Sequence, residues 1–117
     1  MTITVITLLK RRAGLSKADF IAYYESSHRK IGEKVLRGYA TRYVRRYLHP
    51  SDGMDCHEDA DVVMEIDFPD APTRDACFAA MGDPATMAEI VADEEKLFDR
   101  SRIRTFEVEE RGSDMAG

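Results

Sequence analysis

Ile3-Thr4-Val5-Ile6-Thr7-Leu8-Leu9-Lys10-Arg11-Arg12-Ala13-Gly14-Leu15-Ser16-Lys17-Ala18-Asp19-Phe20 decides the fold, because one kind of periodicity gives way to another inside it. Residues 3–9 are rich in β-branched side chains and nearly continuously apolar, the pattern of a strand buried on both faces. The basic triplet Lys10-Arg11-Arg12 carries the chain to solvent and Ala13-Gly14 turns it. Ser16, followed three residues later by Asp19, then forms an N-cap with a capping-box-like acid. A strand is followed at once by a helix.

Downstream, Phe20, Ile21, Tyr24, Ile31 and Val35 recur at three- and four-residue intervals up to Gly38, which predicts one helix over about Lys17 to Arg37. From Tyr39 to His49 the period drops to two. Tyr39, Thr41, Tyr43, Arg45, Tyr47 and His49 share one face of this second strand, which ends at Pro50. Residues 50–59, with Pro, Ser, Gly and four acids, form an exposed connection. Ala60 to Phe68 alternates again as strand three, stopped by Pro69. Two helical segments follow, about Thr73 to Met81 and Pro84 to Phe98, separated by Gly82-Asp83-Pro84 as break, cap and first-turn proline. Arg102 to Glu109 supplies strand four. Residues 1–110 thus form one domain, and 111–117 are expected to be a disordered polar tail.

The order βαββαβ is that of a split βαβ unit, an α+β fold with a four-stranded antiparallel sheet and its helices on one face. That leaves the other sheet face bare. Strand one is apolar on both faces and strand two carries three tyrosines on one face, so a twofold homodimer is expected to bury the second face. Whether those tyrosines line the dimer seam or look toward the helices is open at this point.

A chain of 117 residues is enough for one modest core. Seventeen Lys and Arg against 22 Asp and Glu give a net charge of −5, a field that repels phosphate backbones and anionic membrane surfaces, so neither nucleic acid nor membrane is an expected partner. The chain has no leading apolar stretch long enough for a signal peptide or membrane span, and Cys56 and Cys77 read as free thiols of a cytoplasmic protein. The glycines are isolated, without a phosphate-cradling pattern, so no nucleotide cofactor is expected. Cys56-His57, with His49, Asp52, Asp55 and Glu58 nearby, lacks the usual ligand spacings, so no metal site is expected either.

His28 is the residue best suited to chemistry. Its offsets place it with Tyr24, Ile31 and Val35 on the sheet-facing stripe, and an imidazole titrating near pH 6.5 suits general acid/base work on a phenol, enol or activated C–H. The competing reading is a buried structural histidine. Tyr24, one turn earlier, is the second catalytic candidate, with Tyr43 and Tyr47 as facing groups that donate hydrogen bonds or stack on an aromatic ligand. His49 at the end of strand two and Asp67 on strand three complete the candidate binding set. Asp67, like Glu65 on the same face, is placed to orient His28 or to pair with Arg42, Arg45 or Arg46.

The stretch Phe20 followed by Tyr23-Tyr24-Glu25 and His28, preceded by a strand and a basic turn, closely resembles the EthD family of dimeric α/β-barrel proteins, as do Phe98-Asp99 and the closing Phe106-Glu107-Val108-Glu109. The resemblance implies a ferredoxin-like subunit that packs its sheet against a twin, with a pocket between sheet and helices in each subunit. It also implies a small enzyme working without cofactor, an oxidoreductase or a lyase or isomerase, on an aromatic or polyketide-like molecule. The alternative is a non-catalytic dimeric binding or accessory protein with an occluded pocket. Fold analogy does not choose between them.

Overall fold

The computed structural model describes residues 1–117. Strand β1 spans Ile3–Leu9, helix α1 Lys17–Tyr23, a π-helical segment Tyr24–His28 and helix α2 Arg29–Leu36. Strands β2 (Arg42–Tyr47) and β3 (Val62–Phe68) follow, then helices α3 (Ala71–Met81) and α4 (Pro84–Leu97), a 3₁₀ turn at Arg100–Arg102 and strand β4 (Arg104–Glu107). The sheet order is β2-β3-β1-β4 with every neighbouring pair antiparallel, the ferredoxin-like arrangement. The expected helix starts are present: Ser16 Oγ accepts from the Asp19 amide, and Asp83 caps α4 ahead of Pro84. No helix is long and apolar enough to cross a membrane.

Register assigns each side chain to a face. Ile3, Val5, Thr7 and Leu9 of β1 and Val62, Met64, Ile66 and Phe68 of β3 turn toward the helices, as do Tyr43, Arg45 and Tyr47 of β2. The tyrosines of strand two therefore belong to the helix-covered face, and the outer face must be argued without them. It carries Ile6 opposite Phe106, Leu8 opposite Val63, and Val44, among Thr4, Arg42, Arg46, Glu65, Asp67 and Arg104. Tyr39 precedes the strand and packs into the core from the turn.

Two other expectations need correction. Lys10 does not lead straight to solvent: it is buried beside Asp61, which also takes the Arg11 amide at 2.8 Å and lies 3.4 Å from Lys17. A buried aspartate gathering three cations keeps them at the strand end. The single long helix is also interrupted, because the Arg29 amide reaches back five residues to the Tyr24 carbonyl and opens one wide turn.

The core is split. Ile3, Val5, Leu36, Ile66, Phe68 and Cys77 form one cluster, and Leu9, Phe20, Tyr24, Val62, Leu97 and Phe98 the other. Cys77 is buried, Cys56 is exposed, and both are free thiols.

Candidate active site

Between the two core clusters lies a cavity of about 210 Å³, roofed by α2, α3 and α4 and floored by Val5, Thr7, Met64 and Ile66 of the sheet. Its wall is mostly apolar, with a few convergent polar groups: His28, Tyr24, Tyr43, Glu94 and the pair Thr7–Thr105, whose hydroxyls are 3.0 Å apart. Such a lining desolvates a flat ligand while fixing its orientation at a few points.

The π segment explains how His28 is held. In an α-helix, residues five apart diverge by about 140° around the axis, whereas the wide π turn brings i and i+5 close to one face. Tyr23 and His28 are five apart, and both reach Asp93 on α4. His28 Nδ1 donates to Asp93 Oδ2 at 2.8 Å, Tyr23 Oη donates to Oδ1 at 2.5 Å, and Ser27 Oγ lies 3.4 Å from the same oxygen. Burial pushes the Asp93 carboxyl up, and the bonds from Tyr23, His28 and Ser27 more than offset it, so its pKa is lowered overall. The site holds an ionised carboxylate behind a histidine.

With Nδ1 committed to Asp93, the neutral ring keeps its lone pair on Nε2. No buried side-chain nitrogen or oxygen lacks a partner, and Nε2 has none within the protein, so Nε2 keeps some access to solvent or to a ligand on a ring that lines the cavity. The ring is fixed edge-on between Tyr24 and Phe98, with both centroids 5.2 Å away.

Beside His28, burial pushes the Tyr24 phenol well above its ordinary range, and the Tyr43 phenol adds to the shift. Burial raises Tyr43 as well. Both hydroxyls stay protonated donors at neutral pH. Tyr43 lies so close to α2 that a Cβ in place of Gly32 would sit 2.6 Å from its hydroxyl. Below the cavity, Arg45 forms a two-pronged bond to Glu25 at 2.7 and 3.0 Å and stacks on the Tyr43 ring at 4.9 Å, tying β2 to the π segment. That guanidinium holds the Glu25 carboxyl below its usual range.

Not every expected residue arrives at the site. Tyr47 gives its hydroxyl to Glu25 and packs on Phe20 and Tyr24 behind the cavity wall. His49 is exposed beyond β2, beside Lys17 and Asp59 rather than His28. Asp67 lies on the outer sheet face, where it accepts from Thr4 Oγ1 at 2.9 Å, and Glu65 on that face pairs with Arg42 and Arg46. The carboxylate that orients His28 is Asp93 instead. Its signal in the sequence is an acid at the middle of the spacing Ile90, Asp93, Leu97, a charge on the apolar stripe of α4. Tyr23, which the sequence offers only as part of the family-like stretch, and Glu94 also belong to the site. No three His, Cys, Asp or Glu side chains stand close enough to hold a metal, so Cys56-His57 gathers no ligand set.

The EthD domain model matches residues 12–101, which include the whole helix that carries His28 and all of α4. The chain belongs to the EthD family. An EthD family protein from Bacillus halodurans superposes with a TM-score of 0.67 at 16% identity, covering 95% of this chain and 100% of that one. A dimeric protein of unknown function and ferredoxin-like fold from Bacteroides fragilis gives 0.59 at 12% identity, over 92% and 95% of the two chains. SnoaB, a cofactor-independent oxygenase from Streptomyces nogalater, gives 0.60 at 13% identity, over 96% and 95%. No curated protein sequence matches the chain. At these identities the shared feature is the fold. Within this EthD chain, Phe98 of the late Phe98-Asp99 pair is the ring packed against His28.

Proposed function

We propose that the chain is a small cofactor-independent enzyme in which His28 Nε2 takes a proton from a phenol, enol or activated C–H of an aromatic or polyketide-like molecule held between sheet and helices. The observation that carries this reading is the His28–Asp93 pair, with Nδ1 bonded, Nε2 left without a protein partner and the ring lining an apolar cavity. Asp93 fixes the tautomer and balances the imidazolium that forms on proton transfer. The phenols of Tyr24 and Tyr43 donate to the developing oxyanion in a water-poor site, where such bonds are strongest. Oxidation by molecular oxygen, elimination and isomerisation all share this first step. His28→Gln with the fold intact tests it, the expected result being loss of turnover without loss of ligand binding.

The same reading makes the working unit a homodimer joined through the outer sheet face. Ile6, Leu8, Val44, Val63 and Phe106 form its apolar centre, and Phe106 is 39% exposed in the single chain. The Bacteroides fragilis neighbour, described as dimeric, supports it. So does the sparse interior, with only 16 of 117 residues buried when one chain stands alone.

A further inference from the structure

No lysine or arginine lines the cavity, and its one charged wall residue other than the histidine is Glu94. The Glu94 side chain is 19% exposed and its ion-pair partner Arg100, 3.4 Å away, lies in the 3₁₀ turn outside the cavity. Asp93, the next residue, puts a second carboxylate directly behind His28. On the sheet side, Arg45 beneath the Tyr43 ring is committed to Glu25 with both prongs. A ligand inside the cavity therefore meets phenols, threonine hydroxyls, a histidine and the Glu94 carboxylate, with Asp93 behind the histidine.

We propose that the site selects uncharged hydroxylated aromatic molecules of one or two rings and rejects carboxylate-bearing analogues, with Glu94 the residue that sets this selection. The proposal rests on the cavity being the ligand site. Like charges brought together in a water-poor cavity repel strongly, and no lysine or arginine on the cavity wall relieves an entering carboxylate. An uncharged phenol or enol brings no such cost. When it passes its proton to Nε2, the new oxyanion faces the Tyr24 and Tyr43 donors while the imidazolium faces Asp93, so the proton moves without any change in the net charge of the site. The ring limit follows from size: about 210 Å³ is below the roughly 300–1,000 Å³ of sites for drug-sized ligands.

Calorimetric titration with 2-naphthol and 6-hydroxy-2-naphthoate at pH 7 tests the proposal, since the second probe differs by one ionised carboxyl group. The wild type is expected to bind 2-naphthol at least about tenfold more tightly than the carboxylate. Glu94→Gln should bring the two within about threefold by strengthening carboxylate binding alone. Arg100→Gln, which removes the balancing cation, should widen the gap and serves as the second variant if Glu94→Gln unfolds. Equal binding by the wild type, a gap that survives in Glu94→Gln, or no binding of either probe at millimolar concentration overturns the proposal. Failure of the acid/base reading looks different, because it leaves the selectivity intact and shows up only as turnover retained in His28→Gln.

Discussion

Asp93 Oδ2 stands 2.8 Å from His28 Nδ1 across 65 residues of sequence, and this one bond joins α4 to the π segment and leaves Nε2 as the ring nitrogen without a protein partner. Tyr23 and Ser27 converge on the same carboxylate, so the histidine is oriented by a small network rather than by a single contact.

Asp93→Asn keeps the shape and removes the charge. Turnover should fall by about 10²- to 10⁴-fold, because an amide neither holds the Nδ1–H tautomer nor balances the imidazolium. Chemical denaturation should show a loss of about 1–3 kcal/mol, the cost of disturbing a buried carboxylate that receives several bonds. A variant with unchanged turnover would remove Asp93 from the mechanism.

Tyr23→Phe deletes one donor to Asp93 without touching the cavity. The expected cost is about 1 kcal/mol of stability and only a modest fall in turnover, since His28 keeps its own bond. A loss of activity as large as that of Asp93→Asn would mean that the tyrosine itself reaches substrate.

Acid should weaken the fold through Asp93. Its folded pKa lies below the ordinary value of 3.8, so its contribution is complete above about pH 5 and is lost as pH falls through 3.8 and below. Glu25, held down by Arg45, acts in the same direction. Melting temperature measured against pH should drop steeply on the acid side for the wild type and less steeply for Asp93→Asn.

Gly32→Ala sets two effects against each other. Alanine improves helix propensity by up to about 1 kcal/mol, while its Cβ meets the Tyr43 hydroxyl at 2.6 Å and drives the ring from its place. Stability should change little or fall by about 1–2 kcal/mol, and 2-naphthol binding should weaken severalfold. Full binding with an unmoved Tyr43 would show that the wall yields more easily than the close contact implies.

Phe106→Glu puts a charge at the centre of the outer sheet face, opposite Ile6. Light scattering should give twice the 13.3 kDa chain mass for the wild type and a single chain mass for the variant. A wild type of 13.3 kDa at micromolar concentration contradicts the homodimer.

The strands and helices were legible because their signals are local. Period-two runs, the Ser16 cap and the Gly82-Asp83-Pro84 break each sit within a few residues of what they determine. His28, Tyr24 and Tyr43 were legible for the same reason, lying on simple stripes. Asp93, Tyr23 and Glu94 were not. Their roles depend on how α4 lies across the π segment, and the extra residue of that wide turn shifts the phase that a uniform 3.6-residue period assigns. The faces of Asp67 and of the strand-two tyrosines needed the sheet register, which pairs Arg42 with Asp67 and Tyr43 with Ile66.

The most direct measurement is ¹⁵N NMR of histidine-labelled protein at neutral pH, with His28 picked out from His49 and His57 by the spectrum of His28→Gln. We expect the neutral His28 ring to carry its proton on Nδ1, and the unprotonated Nε2 resonance to shift when 2-naphthol is added. A proton resident on Nε2, or an Nε2 signal indifferent to the ligand while 2-naphthol binds, would contradict a catalytic His28.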